Sequence, residues 1–188
     1  MANNFHRYLN LPFEVKMPEI FKTFSTSRQH LDNEKFNYQD AEMINFLSKF
    51  GLKPLKTEAF YTAPQTKLPI HVDGAIEVKI NKTWGPVDGV TRWYKPGKVV
   101  PLKGIQFGEE QTRVYGEEIC IADEETSELL FEANTNRISL INVGQYHGTY
   151  NPSLTEGRWT LCFQFQTDTN PCITWNEALE IFKDYIEE

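Results

Sequence analysis

From Arg158 to Gln166 the sequence reads Arg-Trp-Thr-Leu-Cys-Phe-Gln-Phe-Gln, an alternation that an extended strand sorts into two faces. Trp159, Leu161, Phe163 and Phe165 fall on one side, and Arg158, Thr160, Cys162 and Gln164 on the other. So large an aromatic face has to be covered, and the chain carries a cover just downstream. Thr174-Trp175-Asn176-Glu177 is a capping-box sequence, and Ala178, Leu179, Phe182, Tyr185 and Ile186 follow it at helical spacing. Arg158 and Thr160 are then left on the face that looks into whatever the sheet encloses.

From Leu52 onward, short segments bounded by proline and glycine repeat this extended character. Strands are expected at Thr57 to Thr62, Lys67 to Val72, Glu77 to Lys82, Val90 to Tyr94, Glu118 to Ala122 and Arg137 to Val143, as well as Arg158 to Gln166. Short strands at turn-punctuated intervals imply a sandwich or barrel. Between Lys95 and Tyr115 the pattern is broken by Pro96, Gly97, Pro101, Gly104 and Gly108, which reads as a long loop, a candidate lid. Residues 1–51 form a largely helical and loop preface. Its clearest element is a helix over Asn37 to Phe50, with Met43, Ile44, Leu47 and Phe50 on one face and Gly51 as the stop. At 188 residues, with no linker or repeat, the chain is expected to be a single domain over 1–188.

The candidate chemistry lies in Pro69-Ile70-His71-Val72-Asp73-Gly74, where an imidazole and a carboxylate share one face of an expected strand. His147 is the only histidine further along the chain, and Arg158 follows it by 11 positions. Two histidines and one carboxylate on one side of an iron, with the other side open, is the ligand set of non-haem Fe(II) oxygenases. A small dicarboxylate chelating the open side would extend its second carboxylate to a guanidinium, which can hold it by two parallel hydrogen bonds. His-x-Asp alone is weak, since four histidines and seven aspartates in 188 positions give roughly 0.15 chance occurrences. His30-Leu31-Asp32 fits it too, but its polar flanks read as a solvated turn, whereas His71 precedes strands. Taken singly, a strand histidine is more often a hydrogen-bonded core residue, and an arginine opening a strand is more often an edge charge, as Arg137 is expected to be. Order and spacing together favour the site.

In this pattern the chain resembles the 2-oxoglutarate/Fe(II)-dependent oxygenases, over roughly its last two thirds. The family pattern is His-x-Asp, then His, then Arg-x-Ser/Thr; here it reads His71-Val72-Asp73, His147 and Arg158-Trp159-Thr160, with 74 positions from Asp73 to His147. The resemblance implies a mainly β fold with flanking α: a double-stranded β-helix (jelly roll, cupin-like barrel) with supporting helices. It implies Fe(II) held by His71, Asp73 and His147, the catalytic set, and 2-oxoglutarate as co-substrate, anchored by Arg158 and Thr160. Asn81 or Tyr94 would complete the pocket. The reaction it implies is hydroxylation of a small-molecule or protein side-chain substrate, with release of succinate and carbon dioxide. Other readings are a cupin-like metal- or ligand-binding protein without turnover, a metal-dependent isomerase or hydrolase on a similar barrel, and a structural role in an assembly.

A net charge of −7 argues against a grip on nucleic-acid phosphates, which needs clustered Lys and Arg. Cys120, Cys162 and Cys172 show neither disulfide arithmetic nor finger spacing and read as reduced core thiols, hence a cytoplasmic location. No stretch reaches the ~18 apolar residues of a membrane span. The oligomeric state is not legible.

Overall fold

Eight strands build the body of the protein, and their order in space is not their order in sequence. They are β1 (Lys53–Thr62), β2 (Ile70–His71), β3 (Val78–Trp84), β4 (Val90–Lys95), β5 (Glu128–Ala133), β6 (Ser139–Asn142), β7 (His147–Asn151) and β8 (Arg158–Gln166). One antiparallel sheet runs β1-β8-β3-β6 and the other β2-β7-β4-β5. All but one of the steps between consecutive strands cross from one sheet to the other. The fold is a double-stranded β-helix. This computed structural model describes residues 3–23, 30–31, 38–74, 76–102, 105–106, 112–113, 119–170 and 172–187.

Strand β8 behaves as its alternation requires. Trp159, Leu161, Phe163 and Phe165 join the main apolar core, while Thr160 and Cys162 line a cleft between the two sheets. Helix α1 (Ala41–Ser48) starts at Asp40, whose carboxylate accepts the Met43 N–H at 2.9 Å, and buries Met43, Phe46 and Leu47. Helix α2 (Trp175–Ile181) has the expected capping box, with Glu177 accepting the Thr174 N–H at 2.8 Å. Phe182 stacks on Phe46 at 5.8 Å and meets Phe165 edge-on at 5.6 Å. Each such aromatic withdrawn from water contributes ~1.5 to 3 kcal/mol, so the helices hold β8 down as much as β8 holds them.

Several expected boundaries move, each for a local reason. The single strand expected over Lys67 to Val72 is split into Thr66–Lys67 and Ile70–His71, because Pro69 between them has no N–H to give a ladder. The expected loop from Lys95 to Tyr115 instead contains Val99–Leu102, an edge strand paired with Ile119–Ala122, and the short pair Ile105–Gln106 and Thr112–Arg113. Pro101 is tolerated there because an edge strand can leave one side unpaired. Residues 103–104, 107–111 and 114–118 lie outside the described residues, so the lid reading does too. Among the described residues of the preface, two short strands join one sheet unexpectedly: His6–Tyr8 extends it beyond β6 and His30–Leu31 pairs with β1. His30 is therefore on a strand rather than a turn; Asp32 is outside the described residues. Strands β5 and β7 were not expected. β5 has exposed Leu129 and Leu130 beside a bulge that spoils its alternation, and β7, His-Gly-Thr-Tyr-Asn, is poor in strand formers.

Candidate metal centre and a buried arginine

His71 and His147 meet because β2 and β7 pair through those two residues alone. The close approach needs Gly148, where a Cβ would sit 2.9 Å from the Leu68 carbonyl oxygen. Asp73 lies just past β2, tethered by its N–H to the Val143 carbonyl at 3.1 Å, and Gly74 turns the chain away at φ +63°. One ligand atom from each of His71, Asp73 and His147 lies within 4.8 Å of the other two. The rings are 4.6 Å apart, and Asp73 Oδ1 is 3.1 Å from His71 Nε2 and 4.0 Å from His147 Nε2.

The protein fixes the tautomers. His71 Nδ1 donates to the Pro69 carbonyl at 2.8 Å and His147 Nδ1 to the Gln145 carbonyl at 2.9 Å. A carbonyl can only accept, so each Nδ1 carries a proton; in neutral His147 this leaves the Nε2 lone pair for a metal, whereas His71 Nε2–H donates to Asp73 Oδ1. Burial and the neighbouring His71 lower the His147 pKa to about 4, which keeps it a neutral ligand. For His71 burial works the other way from the result: the hydrogen bond and charge of Asp73 outweigh it and raise the pKa, so a metal has to displace that proton. Burial would raise the Asp73 pKa, but the charge of Lys79 and the His71 hydrogen bond hold it well below the usual carboxylate range. Such a donor set could hold a metal ion.

Lys79, on β3, reaches the same centre. Its ammonium is 2.6 Å from Asp73 Oδ2 and 3.2 Å from Glu58 Oε2, and only 5% of the residue is exposed. Glu58 also takes a hydrogen bond from Gln164 Nε2 at 2.6 Å and an ion pair from Lys56 at 2.7 Å. The chain of alternating charges thus runs from Asp73 through Lys79 and Glu58 to the half-buried Lys56.

Arg158 is 1% exposed and makes no ion pair with an acidic residue among the described residues. Its Nη2 donates to Thr135 Oγ1 at 2.7 Å and to Thr91 Oγ1 at 3.4 Å, while Nε has no partner. Burial lowers its pKa to about 10, still far above neutrality. Room for the side chain comes from two glycines on the turn after β3. A Cβ on Gly89 would lie 3.0 Å from Arg158 Cδ, and one on Gly85 2.9 Å from Arg158 Cα. The guanidinium adjoins the cleft through Thr91, and Thr62 on β1 is the cross-strand neighbour of Arg158; both line the cleft with His71, Asp73, His147 and Thr160.

Of the five residues singled out in the sequence, His71, Asp73, His147 and Thr160 line one cleft, and Arg158 lies behind it, bonded to the cleft residue Thr91. Asn81 joins them, its buried Oδ1 without a partner, whereas Tyr94 faces a separate groove with Arg92, Lys67 and Tyr150 on the far side of that sheet. Sequence reasoning missed Lys79 and Glu58. A signal for Lys79 was present: Val78 and Ile80 pack into the core, so Lys79, Asn81 and Thr83 between and beyond them had to face inward together. Arg137 is the exposed edge charge expected, paired with Glu187. Cys162 is buried, and Cys120 and Cys172 are half-buried free thiols.

No protein-family model matches the chain, and neither does any curated protein. Solved structures do. The chain is similar to EvdMO1, at 16% identity and TM-score 0.43, over 74% of this chain and 35% of that one. It is similar to an oxidoreductase of the 2OG-Fe(II) oxygenase family from Burkholderia pseudomallei, at 12% identity and TM-score 0.35, over 68% and 51% of the two chains. A third is AviO1 from Streptomyces viridochromogenes, at 14% identity and TM-score 0.42, over 88% and 75%. The chain therefore spans about a third of the first of these and half of the second. Among the described residues no helix is long and apolar enough to cross a membrane.

Proposed function

We propose that the protein is a cytoplasmic non-haem Fe(II)- and 2-oxoglutarate-dependent dioxygenase that hydroxylates a small molecule or a protein side chain. The observation that carries this reading is Arg158, a wholly buried cation with no acidic partner among the described residues and an unpartnered Nε, beside a His-Asp-His set. Leaving a buried charge uncompensated costs several kcal/mol, and a ligand carboxylate on Nε and Nη would offset that cost. A ligand with a second carboxylate would bridge from the guanidinium, bonded to Thr91, to the ligand set in the cleft that Thr91 lines.

His71 and His147 would hold the iron through Nε2 and Asp73 through Oδ1, each already turned towards the centre. When bound, iron with 2-oxoglutarate and dioxygen supplies the oxidative chemistry, giving succinate, carbon dioxide and the hydroxylated product. The protein's part is to bind and orient. Arg158 anchors the distal carboxylate, Thr160 offers a hydroxyl beside it, and the aromatic and aliphatic walls at Phe60, Leu68 and Ile141 keep water out.

The test is affinity for metal and for 2-oxoglutarate, measured separately under argon. Arg158→Ala is expected to bind Fe(II) nearly as wild type but to lose 2-oxoglutarate by ~30-fold or more, the usual result of removing one partner of a charge-assisted pair. Arg158→Lys should fall between, keeping the charge without the fork. Unchanged 2-oxoglutarate affinity in the alanine variant, or a wild type that takes iron and never 2-oxoglutarate, would make the metal-binding module the better reading.

A further inference from the structure

Lys79 is a buried lysine placed where a metal centre has least use for a positive charge. Its Nζ stands 2.6 Å from the carboxylate of one expected ligand, and it lines the same cleft as His71, Asp73 and His147. The two oxygens of Asp73 are divided between neighbours. Oδ1 faces the two imidazole Nε2 atoms, and Oδ2 is taken by the ammonium. The ammonium in turn is held from behind by Glu58, which Gln164 fixes by a 2.6 Å hydrogen bond.

We propose that Lys79 is a positioning residue that keeps Asp73 bound to the metal through Oδ1 alone, and so keeps free the coordination position that a chelating carboxylate would otherwise take. This rests on the reading of His71, Asp73 and His147 as the metal ligands. A carboxylate beside a divalent cation can swing to present both oxygens. The ammonium prevents that by occupying Oδ2. It also cancels the charge of Asp73, so the cation enters a nearly neutral site and an anionic co-ligand is not repelled. The cost is weaker intrinsic metal binding, because the ammonium and the metal repel each other across a few ångströms.

That cost gives the experiment its direction. Metal-free protein is titrated with Co(II) under argon, and both the affinity and the visible ligand-field bands are recorded. Lys79→Met removes charge and donor at nearly constant shape. It is expected to bind Co(II) at least about tenfold tighter, with bands shifted from those of the wild type, and 2-oxoglutarate is expected to perturb those bands less than it does in the wild type. Lys79→Arg, which keeps both charge and donors, is expected to restore wild-type affinity and bands. A lysine that served only the fold would give the opposite result, since Asp73 would drift and the metal would bind more weakly. Weaker or unchanged Co(II) binding by Lys79→Met, with wild-type bands, overturns the proposal. The double variant Glu58→Gln/Lys79→Met removes both buried charges together and carries the expectation of shifted bands, with a smaller gain in affinity because a carboxylate is lost as well, should the single variant not fold. Failure of the wild type to take up Co(II), or uptake undiminished by His71→Ala, would instead overturn the assignment of the ligands themselves.

Discussion

His6 measures how the interior treats a charge that nothing compensates. It is buried on the first strand, edge-on to Tyr8 at 4.5 Å and beside Trp93 and Phe131, and its Nε2 has no partner. Burial, then the charges of Arg7 and Arg137, lower its pKa to about 4. The unfolded chain, with an ordinary histidine near 6.5, takes up the proton first as pH falls, so stability is undiminished above about 6.5 and is lost progressively towards 4. At pH 5 the loss attributable to this one residue is about 2 kcal/mol. His6→Phe, which fits the aromatic surroundings, should remove that share. Urea denaturation of metal-free protein at pH 8 and pH 5 is expected to show the variant losing about 2 kcal/mol less than the wild type between the two. The contrast with Lys79 is physical. Two carboxylates within 3.2 Å raise the pKa of that amine despite equally deep burial.

The turn from Gly85 to Gly89, between β3 and β4, is the element that admits the Arg158 side chain. Gly89→Ala is expected to leave metal affinity intact and to weaken 2-oxoglutarate binding severalfold, because the new methyl group would have to displace Arg158 Cδ by a few tenths of an ångström. Calorimetry with each ligand in turn separates the two effects, and equal weakening of both would point to general disruption of the fold. Gly85→Ala is the harsher change. At φ +151° and 2.9 Å from backbone, it should lower the melting temperature outright. None of this turn's role was legible in the sequence, where two glycines near a proline indicate a bend and not what passes beneath it. What was legible followed from periodicity. The two faces of β8 and the capping box of α2 are consequences of side-chain spacing within one element; His71 and Asp73 come together although Asp73 lies beyond the strand that the spacing implied. The strands at Glu128–Ala133 and His147–Asn151 escaped because pairing with neighbours, rather than their own composition, makes them extended. Lys79 escaped because Glu58 is brought to it only by strand pairing on either side of β8, and Asp73 only by the packing of one sheet on the other.

Across the whole molecule the strand order has a bearing on synthesis. In the sheet β1-β8-β3-β6, the strand between β1 and β3 is the last of the eight to be made. Until β8 is available, β1 and β3 each present an open edge, and the buried residues of α1, Met43, Phe46 and Leu47, have no Phe163 or Phe165 to cover. Unpaired edges with exposed apolar faces are what drives nascent chains to associate. Chains released after residue 157 are therefore expected to sediment as aggregates, whereas the 188-residue chain translated alongside stays in the supernatant. A soluble, protease-resistant fragment ending there would show that the sheet closes without its central strand. On this reading the ribosome exposes a chain long in sequence and barely begun in structure, and the roughly thirty residues from Arg158 onward turn it from association-prone to folded within a few seconds of elongation.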